Sequence, residues 1–213
     1  MVSSVSVRIS NRVEQVKPAA TITISAKAAE LRALGHDIIS LGFGEPDFDT
    51  PDHIKQAAVD AIRAGETKYP PVDGTVRLKQ AIIGKFRDQN QLEFTAEQII
   101  VSSGAKQSLF NLLMSLLNPD DEVIVPAPYW ASYPDMIKLA EGQPVILNAT
   151  AETDYRITAK QLQASLTDKS RLLIINSPCN PTGKVFAADE YRALAERSEE
   201  HTSELQSQGN LVC

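Results

Sequence analysis

The chain has 213 residues, 43% of them hydrophobic and 23% charged, an ordinary globular composition with enough apolar material for one substantial core. Lys plus Arg at 21 against Asp plus Glu at 27 gives a net charge of −6, which argues against nucleic-acid binding and suggests only solubility. No apolar run reaches the length of a membrane span. The polar start, with Ser3, Ser4, Ser6, Arg8 and Ser10, lacks the apolar stretch of a secretion signal, so no membrane partner and a cytoplasmic location are expected.

In chain order, the segment from Arg12 reads as an extended entry through Lys17 and Pro18. An Ala-rich helix follows from about Ser25 and ends at Gly35. Ile38 to Leu41 reads as a short strand. The loop Gly42 to Pro51 is rich in Gly, Pro and Asp, and Thr50 or Asp52 can cap a helix from Asp52 to Ala64 whose apolar face is Ile54, Ala57, Ala58, Ala61 and Ile62. After a second loop, Lys68 to Gly74, a helix from Val76 to Gln89 carries Leu78, Ile82 and Phe86 at helical spacing. From there strand and helix alternate. Strands are expected at Ile99 to Val101, Glu122 to Val125, Pro144 to Leu147 and Arg171 to Ile175, and helices at Gln107 to Leu117, Ser132 to Ala140 and Ala159 to Leu166. Repeated βα units imply an α/β fold with a mostly parallel sheet covered by helices on both faces.

Three segments at strand carboxyl ends carry candidate chemistry, which is where open α/β sheets place their ligands. The first, Ile99-Ile100-Val101-Ser102-Ser103-Gly104-Ala105-Lys106, is a strand, a small-residue turn and a helix start. Such a start points backbone N–H groups and the positive end of the helix dipole at an anion such as phosphate, although small residues also serve tight packing. The second, Pro126-Ala127-Pro128-Tyr129-Trp130, holds the only tryptophan, a flat platform for a planar heterocycle or else part of a core. The third, Leu172-Leu-Ile-Ile-Asn-Ser-Pro-Cys-Asn-Pro-Thr-Gly183, is a buried strand ending in a rigid polar turn that holds Asn180. A phosphorylated planar cofactor fits this set. Cys179 and Cys213 lack histidine neighbours, so neither a disulfide framework nor a metal site is expected, and Cys179 reads as packing. His36 and His53 read as solvated.

Residues 11 to 196, through Asn-Pro-Thr-Gly at 180–183, Gly-Glu-Pro-Asp-Phe at 44–48 and Thr-Lys-Tyr-Pro at 67–70, resemble the class I aminotransferases, in particular the bacterial aspartate aminotransferase subgroup Ib. The resemblance implies the large domain of a pyridoxal-phosphate (PLP) transferase, a three-layer, mostly parallel α/β sheet present here in incomplete form, with an N-terminal segment of a small domain. The corresponding divisions are residues 1–50 for the arm and small-domain part, 51–196 for the large-domain part, and a tail at 197–213.

It further implies amino transfer between aspartate and 2-oxoglutarate, with prephenate as a further acceptor in some members, and a homodimer. Gly104, Ala105 and Lys106 would hold the cofactor phosphate, Trp130 would stack on its ring, and Asn180 would bond its phenolic oxygen. Tyr69 would reach the neighbouring subunit's phosphate. Gly44 would meet the substrate carboxylate, Trp130 and Asn180 would also count among the substrate-binding residues, and Lys106 matches a position linked with the distal carboxylate and Lys17 one linked with prephenate. Plainer readings stand beside these: Gly44 as a positive-φ glycine, Tyr69 as a loop anchor, Lys106 as a solvated charge.

PLP chemistry also needs a Schiff-base lysine, and none of Lys138, Lys160, Lys169 or Lys184 sits in a matching segment; no catalytic residue is assigned. The expectation is an N-terminal half of an aminotransferase that is inactive alone. The alternatives are another class I transaminase, or a non-catalytic fragment that binds PLP, phosphate or a partner. The tail from Arg197 breaks the preceding helical periodicity and looks like a translated sequencing adapter, so it is set aside from the fold.

Overall fold

The computed structural model describes residues 8–16, 20–39, 44 and 46–201. By contacts they fall into two compact units, one built from the segments up to Ala20 and from Leu109 onward, the other from Thr21–Ser108. The division expected at residue 50 therefore lies inside the second of these.

The first unit holds a parallel sheet in the order β2-β1-β3, with β1 at Glu122–Ala127, β2 at Gln143–Asn148 and β3 at Ser170–Leu173. Strand periodicity explains its layering. Val123 and Val125 point to one face, where they pack with Leu113 of α5 (Ala105–Leu116) and with Tyr133, Met136 and Ile137 of α6 (Ser132–Leu139). Ile124 points to the other, against Leu162 of α7 (Ala159–Ser165), Leu194 of α8 (Ala188–His201), Ile157 and Phe186. Both faces of β1 are thus covered, which is why it reads as a continuous apolar run. Gly142 turns the chain from α6 into β2 in a space that admits no side chain: a Cβ there would stand 2.8 Å from Leu117 Cδ1 and 3.2 Å from the Asp121 carbonyl oxygen.

The chain entry departs from expectation. Asn11–Glu14 forms a helical turn, α1, instead of extended chain, because Val13 and Glu14 N–H both donate to the Ser10 carbonyl and Arg12 pairs with Glu141 at 3.1 Å. Lys17 lies outside the described residues. At the other end, α8 runs on through Arg197 to His201, across the boundary expected at 197. β3 stops at Leu173, two residues before the expected end, although Ile174 N–H still donates to the Ile124 carbonyl at 3.0 Å.

In the second unit, α2 spans Ala20–Ala33, α3 Asp52–Arg63 and α4 Val76–Asn90. Gly35, at φ +89°, ends α2 in a double closure: its N–H donates to Arg32 and that of His36 to Leu31. Thr75 caps α4, its hydroxyl accepting from Leu78 N–H at 3.3 Å. No side chain caps α3; Pro51 precedes it, and neither Thr50 nor Asp52 takes that part.

Of the strand expected at Ile38 to Leu41, Ile38 and Ile39 are irregular, while Ser40 and Leu41 lie outside the described residues. The strand expected at Ile99 to Val101 does not form. Ile99 to Val101 is extended chain whose Val101 N–H donates to the Asp73 carbonyl. An extended apolar run becomes a strand only when another backbone lies alongside it.

Candidate functional site

Each unit carries part of the expected site, and within each the parts are physically joined. In the first unit, Trp130 and Asn180 sit on the loops that follow β1 and β3, neighbouring parallel strands, so both leave the sheet at the same end. Trp130 is half-buried, its ring in T-shaped contact with that of Tyr133, centroids 5.5 Å apart and planes at 88°. Tyr133 is itself core, and its N–H donates to the Trp130 carbonyl at 3.0 Å. This ring contact, together with packing against the core cluster of Leu113, Val123 and Val125, anchors the indole at the end of β1.

Asn180 is exposed on a turn tied by short hydrogen bonds. Its N–H donates to Asn176 Oδ1 at 2.8 Å, the Cys179 N–H to the Lys184 carbonyl at 2.8 Å, the Gly183 N–H to the Cys179 carbonyl at 2.7 Å, and the Phe186 N–H to Ser177 Oγ at 3.1 Å. The peptide bonds preceding Pro128, Pro178 and Pro181 are cis. The two loops meet where the Cys179 thiol donates to the Pro128 carbonyl at 3.4 Å. Lys184 also pairs with Asp154 at 2.5 Å, and Arg156 pairs with Glu190 at 2.9 Å. The hydrogen bond from Lys184, helped by the charges of Lys184 and Arg156, holds the Asp154 carboxyl below its ordinary value.

In the second unit, Gly104 stands at φ +84° immediately before α5, and among the described residues no atom beyond its chain neighbours lies within 4 Å of where its Cβ would be. The first turn of α5 carries no acidic side chain, leaving its positive end uncompensated from within. Ala105 is half-buried and Lys106 exposed. Tyr69 is fully exposed on the loop before Gly74. That loop is fastened to the segment leading into the Gly104 turn: Val101 N–H donates to the Asp73 carbonyl at 3.1 Å, Gly74 abuts Val101, and the Asp73 carboxylate accepts from buried Lys79. The Lys79 hydrogen bond holds the Asp73 carboxyl below its ordinary value. Gly44 is exposed.

Cys179, Asn176, Lys79 and Asp73 shape these parts without having stood out in the sequence. Lys79 left a signal, since it shares the helical stripe of Ile82 and Phe86, where a lysine needs a partner. Cys179 left none, because a cysteine beside a proline reads as packing until its neighbour across the loop is known.

The sequence profile described as "Aminotransferase class I and II" matches residues 36–205. The chain belongs to this family. An aspartate/prephenate aminotransferase of Nitrosomonas europaea is 52% identical over 187 residues, 88% of this chain and 47% of that protein. An aspartate aminotransferase of Bacillus sp. strain YM-2 is 51% identical over 187 residues, 88% of this chain and 48% of its own length. Among solved structures, the aspartate aminotransferase of Rhizobium meliloti superposes with a TM-score of 0.88 at 45% identity, over 92% of this chain and 49% of that one. That of Thermus thermophilus, solved with maleate, gives 0.88 at 44%, over 92% and 51%. The chain thus spans about half the length of the aminotransferases it matches. The layered parallel sheet is that of the PLP-transferase fold, and the class I aminotransferases are PLP-dependent enzymes.

Proposed function

We propose that the chain is the N-terminal half of a PLP-dependent aminotransferase that moves an amino group between aspartate and a 2-oxo acid, 2-oxoglutarate or prephenate. The observation that carries this reading is the pairing of Trp130 and Asn180 on fastened loops at one end of adjacent parallel strands. An aromatic face and a primary amide so held match a planar heterocycle with an oxygen substituent. Each unit by itself carries donors that fit part of PLP: in the second, the open glycine turn and acid-free helix start suit a phosphate, and in the first, the indole suits the ring and the amide its phenolic oxygen. When bound, PLP supplies the electron sink that lets the bond at the substrate's α-carbon break.

The residues of this chain bind and orient. Backbone N–H groups at Gly104, Ala105 and Lys106 hold the phosphate, while Asn180 donates to the ring oxygen and Trp130 fixes the ring plane. Gly44 meets the substrate α-carboxylate; Lys106 and Lys17 serve the far end of a dicarboxylic substrate or prephenate. Tyr69, free of intrachain cover, reaches a second subunit of a cytoplasmic homodimer, and Cys179, a free thiol, is in keeping with that compartment. No side chain here is assigned the Schiff-base role, so this chain is expected to bind and not to turn over.

The test uses Trp130 as its reporter and pyridoxine 5′-phosphate as the probe, a ligand with the same ring and phosphate but no aldehyde to react with surface lysines. Saturable quenching of Trp130 that inorganic phosphate competes away is expected, with Asn180→Ala weakening the affinity by about three- to tenfold for one lost hydrogen bond. Absence of saturable quenching would overturn the reading.

A further inference from the structure

We propose that Cys179 is a positioning residue, whose thiol fastens the Asn180 turn to the Trp130 loop and so sets the spacing between amide and indole beyond the end of the sheet. The need for such a fastening follows from the register. On its β2 side, β1 is paired to its last residue, Ala127 opposite Asn148, and the Ala149 N–H then donates to the Ala127 carbonyl at 3.0 Å. On its β3 side the register runs only to Ile124 opposite Leu173, closed by Ile174 N–H donating to the Ile124 carbonyl. Beyond that point the chains that lead to Trp130 and Asn180 leave the ladder, and Cys179 Sγ to Pro128 O is a hydrogen bond that rejoins them.

Cys179 is suited to this by its place in the turn. Its N–H donates to Lys184, its carbonyl accepts from Gly183, and the next residue is Asn180, locked to Asn176. A bond at the thiol therefore holds the turn as one body. A thiol is a weak donor, so the effect lies in orientation more than in stability. For the cofactor this inference rests on the proposed function; the fastening itself does not.

Substitution separates a hydrogen bond from simple filling of space, since Cys179→Ser keeps a donor and Cys179→Val keeps bulk without one. Both are compared with the parent chain by Trp130 fluorescence anisotropy without ligand and by affinity for pyridoxine 5′-phosphate. Cys179→Ser is expected to match the parent in both readings. Cys179→Val is expected to lower the Trp130 anisotropy and weaken affinity about two- to fivefold, as for one modest hydrogen bond. A Cys179→Val chain with parental anisotropy would overturn the proposal. If the parent binds no pyridoxine phosphate, the functional reading falls while the anisotropy comparison still decides the fastening. Should Cys179→Val not fold, the infrared S–H stretch in a Cys213→Ser background decides: a band below that of the unfolded chain supports the bond, and an unshifted band overturns it.

Discussion

Gly74 shows how a single position can be doubly constrained. Its φ of +105° belongs to the region that side chains avoid, and a Cβ would lie 2.5 Å from Val101 Cγ2 and 2.8 Å from Val101 Cβ. Backbone strain of about 1–2 kcal/mol and overpacking of about 1–3 kcal/mol add, so Gly74→Ala should destabilise the chain by roughly 2–5 kcal/mol in chemical denaturation. Adding Val101→Ala should recover only part, because the Cβ at 2.8 Å remains. Gly104, with comparable φ but open surroundings, lacks the second constraint, as a position kept clear for a ligand would. A sequence displays both glycines alike, since neither φ nor the neighbour across the loop is written in the local composition.

At the scale of elements, legibility followed how local the cause was. The closure of α2 at Gly35 and the continuous apolar run of β1, covered on both faces, depend on residues a few positions apart, and both are readable from spacing. The lost strand at Ile99 to Val101 depends on a partner backbone, and so does the early end of β3. The ion pairs between elements are equally non-local. Asp154 joins the loop after β2 to Lys184, and its folded carboxyl is held below the ordinary 3.8, first by the Lys184 hydrogen bond and then by the charges of Lys184 and Arg156. Asp73 is lowered likewise by Lys79. A depressed acid stabilises the fold above its unfolded value and loses that contribution as pH falls through the folded one. The thermal midpoint should therefore hold at neutral pH and drop as pH falls below about 4, and Asp154→Asn should shallow that acid limb. A limb unchanged by the substitution would assign the acid loss to other groups.

For the molecule as a whole, the second unit leaves much apolar surface uncovered. None of the described residues of α3 is buried, Ile62 is 65% exposed, and Phe48, Val72, Val76 and Ile100 are more so. Scattered exposed apolar residues are ordinary, but this density in one unit resembles surface that another chain segment or subunit covers. The chain alone should therefore associate as its concentration rises, visible as a growing sedimentation coefficient. Ile54→Lys with Ile62→Lys should lower that tendency, and a monodisperse parent at all concentrations would contradict the expectation.

The run of residues settled the family and the βα alternation and nominated the side chains of the candidate site, because apolar period, turn residues and the Asn-Pro-Thr-Gly segment act over short stretches of chain. Only the folded arrangement decided that Ile99 to Val101 finds no strand partner, that Lys79 is buried on Asp73, and that Cys179 reaches Pro128 across two loops. Those outcomes depend on which backbone comes to lie beside which, and sequence spacing carries no measure of that distance.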